Sequence, residues 1–84
     1  MSRCDKLLRK ARIAPGGLSY EEICRLAECH GFVFRRQRGS HRIYAHPDVP
    51  PSLGGHMNFQ NDNGKAKDYQ VRQLRDAIDF LGGN

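Results

Sequence analysis

"FVFRRQRGSHRIYAH", residues 32–46, decides how the rest of the chain is read. Two short runs rich in aromatic and β-branched residues flank Arg-Gly-Ser, the pattern of a β-hairpin. The hairpin carries more than a hairpin needs. Arginines at 35, 36, 38 and 42 repel one another, and His41 follows the turn directly. A negative partner is required to offset that charge.

Upstream, "LSYEEICRLAECHG" (18–31) reads as a helix. Ser19 is placed to cap it and Glu22 to complete a capping box, with Leu18 and Ile23 as the hydrophobic staple. Ile23, Leu26, Ala27 and His30 share one face, and Gly31 supplies the left-handed residue that ends the helix. Residues 2–12 predict a shorter helix capped by Ser2, with Leu7, Leu8 and Ala11 as its apolar stripe. "APGG" (14–17) is a turn.

Downstream, "PDVPPSLGG" (47–55) reads as a loop, "HMNFQ" (56–60) as a third strand and "NDNG" (61–64) as a turn. A last helix is expected from Asp68, its N-cap, to Gly82. Val71, Leu74, Ile78 and Leu81 form its stripe. The order is helix, helix, three strands, helix. This predicts an α+β fold: a three-stranded antiparallel sheet with helices on one face and the other face open. In outline that resembles a double-stranded-RNA-binding domain. The length of 84 residues fits a single domain spanning 1–84.

Fourteen Lys and Arg against nine Asp and Glu leave a net charge of +5. A basic chain of this size favours nucleic acid, an acidic protein or a membrane surface as partner. No apolar run approaches the ~20 residues of a membrane span. The N-terminus lacks the apolar centre of a signal peptide, so a cytoplasmic, soluble protein is expected. Three cysteines without a secretion signal argue against a disulfide framework. Cys24, Cys29 and His30 raise a metal reading that helical geometry disfavours. Five residues are about 500° of rotation, so the two thiols point about 140° apart. No metal and no cofactor are expected; Cys24 and Cys29 are read as small packing residues.

The basic residues form two groups. Arg35, Arg36, Arg38 and Arg42 lie on the hairpin; Lys65, Lys67, Arg72 and Arg75 surround the start of the last helix. Arginine's planar fork suits phosphate oxygens. RNA also carries its own nucleophile, the 2′-OH. Its cleavage requires a base, an acid and cations to hold the phosphate. His41 is the candidate for proton transfer. Both faces of its strand carry an apolar residue, so alternation alone leaves the inward side open; we place Tyr44 inward and His41 outward. His30, His46 and His56 are read as capping, loop and strand-start residues. No serine sits on a nucleophile elbow, so a Ser-His-Asp triad finds no support.

"GFVFRRQRGSHRIYAHPD" (31–48) followed by "GKAKDYQVRQL" (64–74) resembles the HicA, or YcfA-like, family of bacterial toxins. The likeness spans about residues 5–81. It implies a toxin of a type II toxin–antitoxin pair, an mRNA interferase with the catalytic histidine at His41. It also implies mRNA as substrate and a HicB-like antitoxin covering the active face. Ser40, Arg38 and Lys65 are expected to support His41, with Arg35, Arg36, Arg42 and Lys67 on RNA. Asp68 stands where close relatives carry proline. The competing readings are a non-catalytic RNA-binding module and a domain whose basic face docks an acidic protein.

Overall fold

The computed structural model describes residues 2–83. Helices α1 (Arg3–Ile13), α2 (Tyr20–Cys29) and α3 (Asp68–Gly83) accompany strands β1 (Val33–Arg38), β2 (His41–Ala45) and β3 (His56–Gln60). The strands form one antiparallel sheet in the order β1-β2-β3. The expected α+β arrangement, similar to a double-stranded-RNA-binding domain, is the one observed.

Local chemistry sets the ends of the elements. Ser2 Oγ accepts from the Asp5 N–H at 3.1 Å and caps α1. Ser19 and Glu22 form the capping box of α2, with Ser19 Oγ accepting from Glu22 N at 3.1 Å and Glu22 Oε1 from Ser19 N at 2.9 Å. These bonds satisfy two otherwise orphaned backbone donors. Gly31 has φ +89° and ends α2, as its sequence position predicts. A Cβ there would also stand 2.9 Å from His46 Nε2, so the site excludes side chains twice over.

At the other helix the expectation is corrected. Asp68 is the first residue of α3 rather than its cap, and α3 runs on through Gly82 to Gly83. The Asp68 carboxylate instead accepts from Arg72 Nε at 2.8 Å, one turn along. The loop after β2 also does more than connect. Val49 is buried in the core, and Gly55 passes so close to the Val49 carbonyl that no side chain fits.

Sheet register places the core. Tyr44 pairs with Met57 and Phe34, and Arg42 pairs with Phe59 and Gln37. Cross-strand partners share a face. Met57, Phe59 and Tyr44 are buried under α2 and α3, together with Ile23, Leu26, Val71 and Leu74. Phe32 joins them, whereas Phe34, two residues on, is 47% exposed at the sheet margin. A bulge between Phe34 and Arg36 leaves Arg35 without a partner on β2.

The edge of β3 is closed by a side chain. Gln70 of α3 is buried; its Nε2 donates to Asn58 O at 2.6 Å and its Oε1 accepts from Gln60 N at 3.0 Å. One amide thus stands in for a neighbouring strand.

The cysteine expectation fails at one point. Cys4 and Cys29 are disulfide-bonded, with Cα atoms 5.9 Å apart. Cysteine parity says nothing about distance, and packing of α1 on α2 brings these two thiols together. Cys29 is therefore covalently committed, while Cys24 remains a free, buried thiol.

The packing ranks two substitutions. Leu74 is fully buried, and Leu74→Ala is expected to cost ~2–5 kcal/mol. Ser19→Ala removes the cap and is expected to cost ~0.5–2 kcal/mol. Chemical-denaturation midpoints check this order, and a larger loss for Ser19→Ala would contradict the core described above.

Candidate functional site

The pleat of β2 assigns His41 to a side. Tyr44 and Arg42 face the helices, so His41, Ile43 and Ala45 face the opposite way. Their cross-strand partners, Gln60, Asn58 and His56 on β3 and Arg38, Arg36 and Val33 on β1, share that open face. The outward placement of His41 read from the sequence is thus the geometry found.

His41 is half-buried and positioned by one hydrogen bond. Its Nδ1 lies 2.9 Å from Oδ1 of Asn58, the β3 residue paired with Ile43 two positions along. Gln60 and Arg38 flank it in register. The turn beneath it is a two-residue loop, Gly39-Ser40, closed by the Arg38–His41 pair. Gly39 has φ +58°, which such a tight hairpin requires at its first central residue. Ser40 is exposed, and its carbonyl accepts from Asn61 N at 2.8 Å, tying the turn to the end of β3.

The basic residues separate. Arg36 and Arg38 stand on the His41 face, and Arg35 occupies the adjoining bulge. Among the described residues none of the three takes part in an ion pair. Arg42, although adjacent in sequence, is on the helix side. Its guanidinium lies 5.0 Å above the Tyr20 ring and 3.6 Å from Glu21 Oε1. Lys65 sits beside the start of α2, bridged to Ser19 and Asp62 through its backbone. Lys67 Nζ is engaged by Asp62 Oδ2 at 3.1 Å. Of the seven residues expected on RNA, Arg36 and Arg38 share the His41 face, Arg35 sits in the adjoining bulge and Ser40 in the turn, while Arg42 faces the helices and Lys65 and Lys67 are held beside Asp62 just past β3.

Sequence reading missed Asn58 and Gln70. Asn58 alternates with Met57 and Phe59 and so is marked as outward. Nothing local marks its pairing with His41, which depends on strand register.

The remaining histidines have other surroundings. His46 is buried edge-on to Phe32, with ring centroids 4.9 Å apart. Its Nδ1 accepts from Asp48 N at 3.0 Å, and its Nε2 donates to the His30 carbonyl at 3.0 Å. It staples the end of β2 to the end of α2 rather than serving only as a loop residue. His56 is exposed at the start of β3. His30 has a buried Nε2 with no hydrogen-bond partner among the described residues. Among the described residues no group of three or more His, Cys, Asp or Glu side chains is arranged to hold a metal, and no helix is long and apolar enough to cross a membrane. Burial pushes the free Cys24 thiol up, which suits a packing residue and not a nucleophile.

Three helices on one side of an antiparallel sheet, with arginines and a positioned histidine on the other, define a small α+β protein similar to double-stranded-RNA-binding domains. The family model for the HicA toxin of bacterial toxin-antitoxin systems matches residues 20–74. The chain belongs to the HicA toxin family, and that family implies an antitoxin partner. No curated protein and no solved structure matches the chain. The matched span contains the whole sheet, the His41 face and Gln70; α1 and its Cys4 lie outside it.

His30 gives the fold a pH dependence. Burial holds its imidazole below the ordinary histidine range; Asp5 opposes this and Arg12 adds to it. The unfolded chain then binds the proton more readily than the folded one. Stability from this group is present above about pH 6.5 and declines as pH falls through that value toward the lower folded pKa. Denaturant midpoints across that window are expected to fall with pH in the wild type and to fall less in His30→Gln.

Proposed function

We propose that this toxin is an endoribonuclease that cuts mRNA, with His41 as its general acid–base and residues 1–84 acting as one toxin domain. The observation that carries the reading is the placement of His41 on the open face beside Arg36 and Arg38, which have no carboxylate partners among the described residues.

The chemistry needs little beyond that face. An imidazole takes the proton from a ribose 2′-OH as its oxygen attacks the adjacent phosphorus. The bond to the leaving 5′-oxygen breaks, and that oxygen takes its proton from the imidazolium just formed. The products are a 2′,3′-cyclic phosphate and a free 5′-OH. Arginine forks would hold the non-bridging oxygens and stabilise the charge that builds on them. This scheme assigns every proton transfer and charge contact to side chains, so it requires no metal and no cofactor. A HicB-like antitoxin would silence it by covering the open face, and its acidic groups would replace phosphate on the arginines.

Substitution of His41 tests the catalytic half. His41→Ala is expected to lower RNA cleavage by at least ~10²–10⁴-fold, the usual worth of general acid–base catalysis. Folding and RNA affinity are expected to survive, and expression in growing cells to become harmless. Undiminished cleavage by a folded His41→Ala would leave a non-catalytic RNA-binding module as the better account.

Salt dependence tests the binding half. Arg36→Ala and Arg38→Ala are each expected to reduce the slope of log affinity against log salt by about 0.7 on single-stranded RNA. Arg42→Ala, which faces Tyr20 and Glu21, is expected to change it less. Titrations at several ionic strengths measure all three, and an Arg42 effect as large as the others would move the RNA path off the open face.

A further inference from the structure

The hydrogen bond between His41 Nδ1 and Asn58 Oδ1 constrains the histidine more than its length implies. An amide oxygen can only accept. The 2.9 Å contact therefore places the proton of a neutral imidazole on Nδ1 and leaves the lone pair on Nε2. Which ring nitrogen carries the proton is generally set by the partner of the other.

Asn58 is in turn held from behind. Its carbonyl accepts from Gln70 Nε2 at 2.6 Å, and Gln70 Oε1 accepts from the Gln60 N–H at 3.0 Å. Gln70 is 6% exposed, anchored in α3 on the core side of the sheet. The clamp pins β3 where Asn58 must stand to reach His41. A carboxylate at position 58 would orient the ring equally well, but its negative charge would attract Arg36 and Arg38. A neutral amide orients the imidazole and leaves the arginines for an anion. The charged and titratable groups sharing the face are Arg36 and Arg38 of β1 and His56 of β3.

We propose that Asn58, kept in register by Gln70, is the positioning residue that fixes His41 as its Nδ1–H tautomer, so that Nε2 is the atom that exchanges protons with RNA. This rests on the reading of His41 as the acid–base group. As the 2′-oxygen attacks, its proton passes to the Nε2 lone pair and the ring becomes imidazolium. Asn58 Oδ1 still accepts from Nδ1–H. The Nε2 proton then passes to the 5′-oxygen as its bond to phosphorus breaks, and the ring returns to its starting form.

Long-range proton–nitrogen NMR of the histidine rings reads the tautomer directly. The whole protein is used without RNA, at a pH well above the ordinary histidine pKa of ~6.5. The wild-type His41 ring is expected to show Nδ1–H. In Asn58→Leu, an exposed position that leaves the core untouched, it is expected to switch to the Nε2–H form that free imidazole side chains prefer. RNA cleavage is expected to fall about 10–100-fold, as when an orienting partner is lost, with RNA affinity unchanged. Asn58→Asp is expected to keep the tautomer, because a carboxylate oxygen also accepts, and to weaken RNA binding as its charge engages Arg36 and Arg38. Slow hydrogen exchange at the Gln60 N–H supports the clamp, and exchange as fast as at an open strand edge overturns it. A wild-type ring in the Nε2–H form, or a tautomer unmoved by Asn58→Leu, overturns the positioning role. A switched tautomer with wild-type cleavage overturns the assignment of Nε2, whereas the acid–base reading of His41 falls only if folded His41→Ala still cleaves.

Discussion

Tyr44 can lie on only one side of the sheet. Its ring is buried beside Phe59, with centroids 5.5 Å apart, and its hydroxyl donates to Glu28 Oε2 at 2.7 Å. Burial and the neighbouring carboxylate both push the phenol pKa up, so the hydroxyl stays a donor. Because side chains alternate along a strand, this one commitment sends His41 and Ile43 to the far face. A slip of one residue would bury the imidazole and expose the tyrosine. The functional geometry is thus secured by a hydrophobic residue three positions away from the histidine.

The helical layer also absorbs negative charge. Glu22 pairs with Lys10, Glu21 with Arg42, Asp79 with Arg12, Asp68 with Arg72 and Asp62 with Lys67. Glu22 is held below the usual carboxylate range first by the Ser19 N–H and then by Lys10, so one side chain both caps α2 and binds α1. Most of these pairs are exposed, and each contributes little to stability. Their effect on the field is larger. Carboxylates are occupied around the helices, and the arginines of β1 face solvent without them.

Local signals were the legible ones. Ser19, Glu22 and Gly31 each act within four residues, and all three do what their positions imply. The alternation of Met57 and Phe59 was equally plain. Arg42 misleads because nearness to His41 in the chain is nearness across the pleat, which puts the two on opposite sides. The bulge at Arg35 could not be seen, since the inserted residue is defined only against β2. Asn58 and Gln70 depend on register and on where α3 lands, so neither announces itself. The Cys4–Cys29 bond is likewise a product of helix packing, and parity of cysteines carries no information about it. Asp68 shows the limit of a residue-type rule: aspartate suits a cap, but here it begins the helix proper and pairs with Arg72 one turn on.

The two margins of the sheet differ in a way that bears on how copies of the chain meet. The Gln70 amide occupies β3, so no second strand can pair at Asn58 and Gln60. The margin at β1 is exposed along its whole length. Such an edge ordinarily invites strand-to-strand association. Here two β1 edges would bring Arg35, Arg36 and Arg38 of one copy against the same three of another, with the bulge interrupting the ladder. Self-repulsion therefore opposes such pairing. It is a conditional safeguard, because concentrated salt or a bound polyanion neutralises it. The exposed β1 edge is thus most open to a second strand when the charge of its arginines is screened.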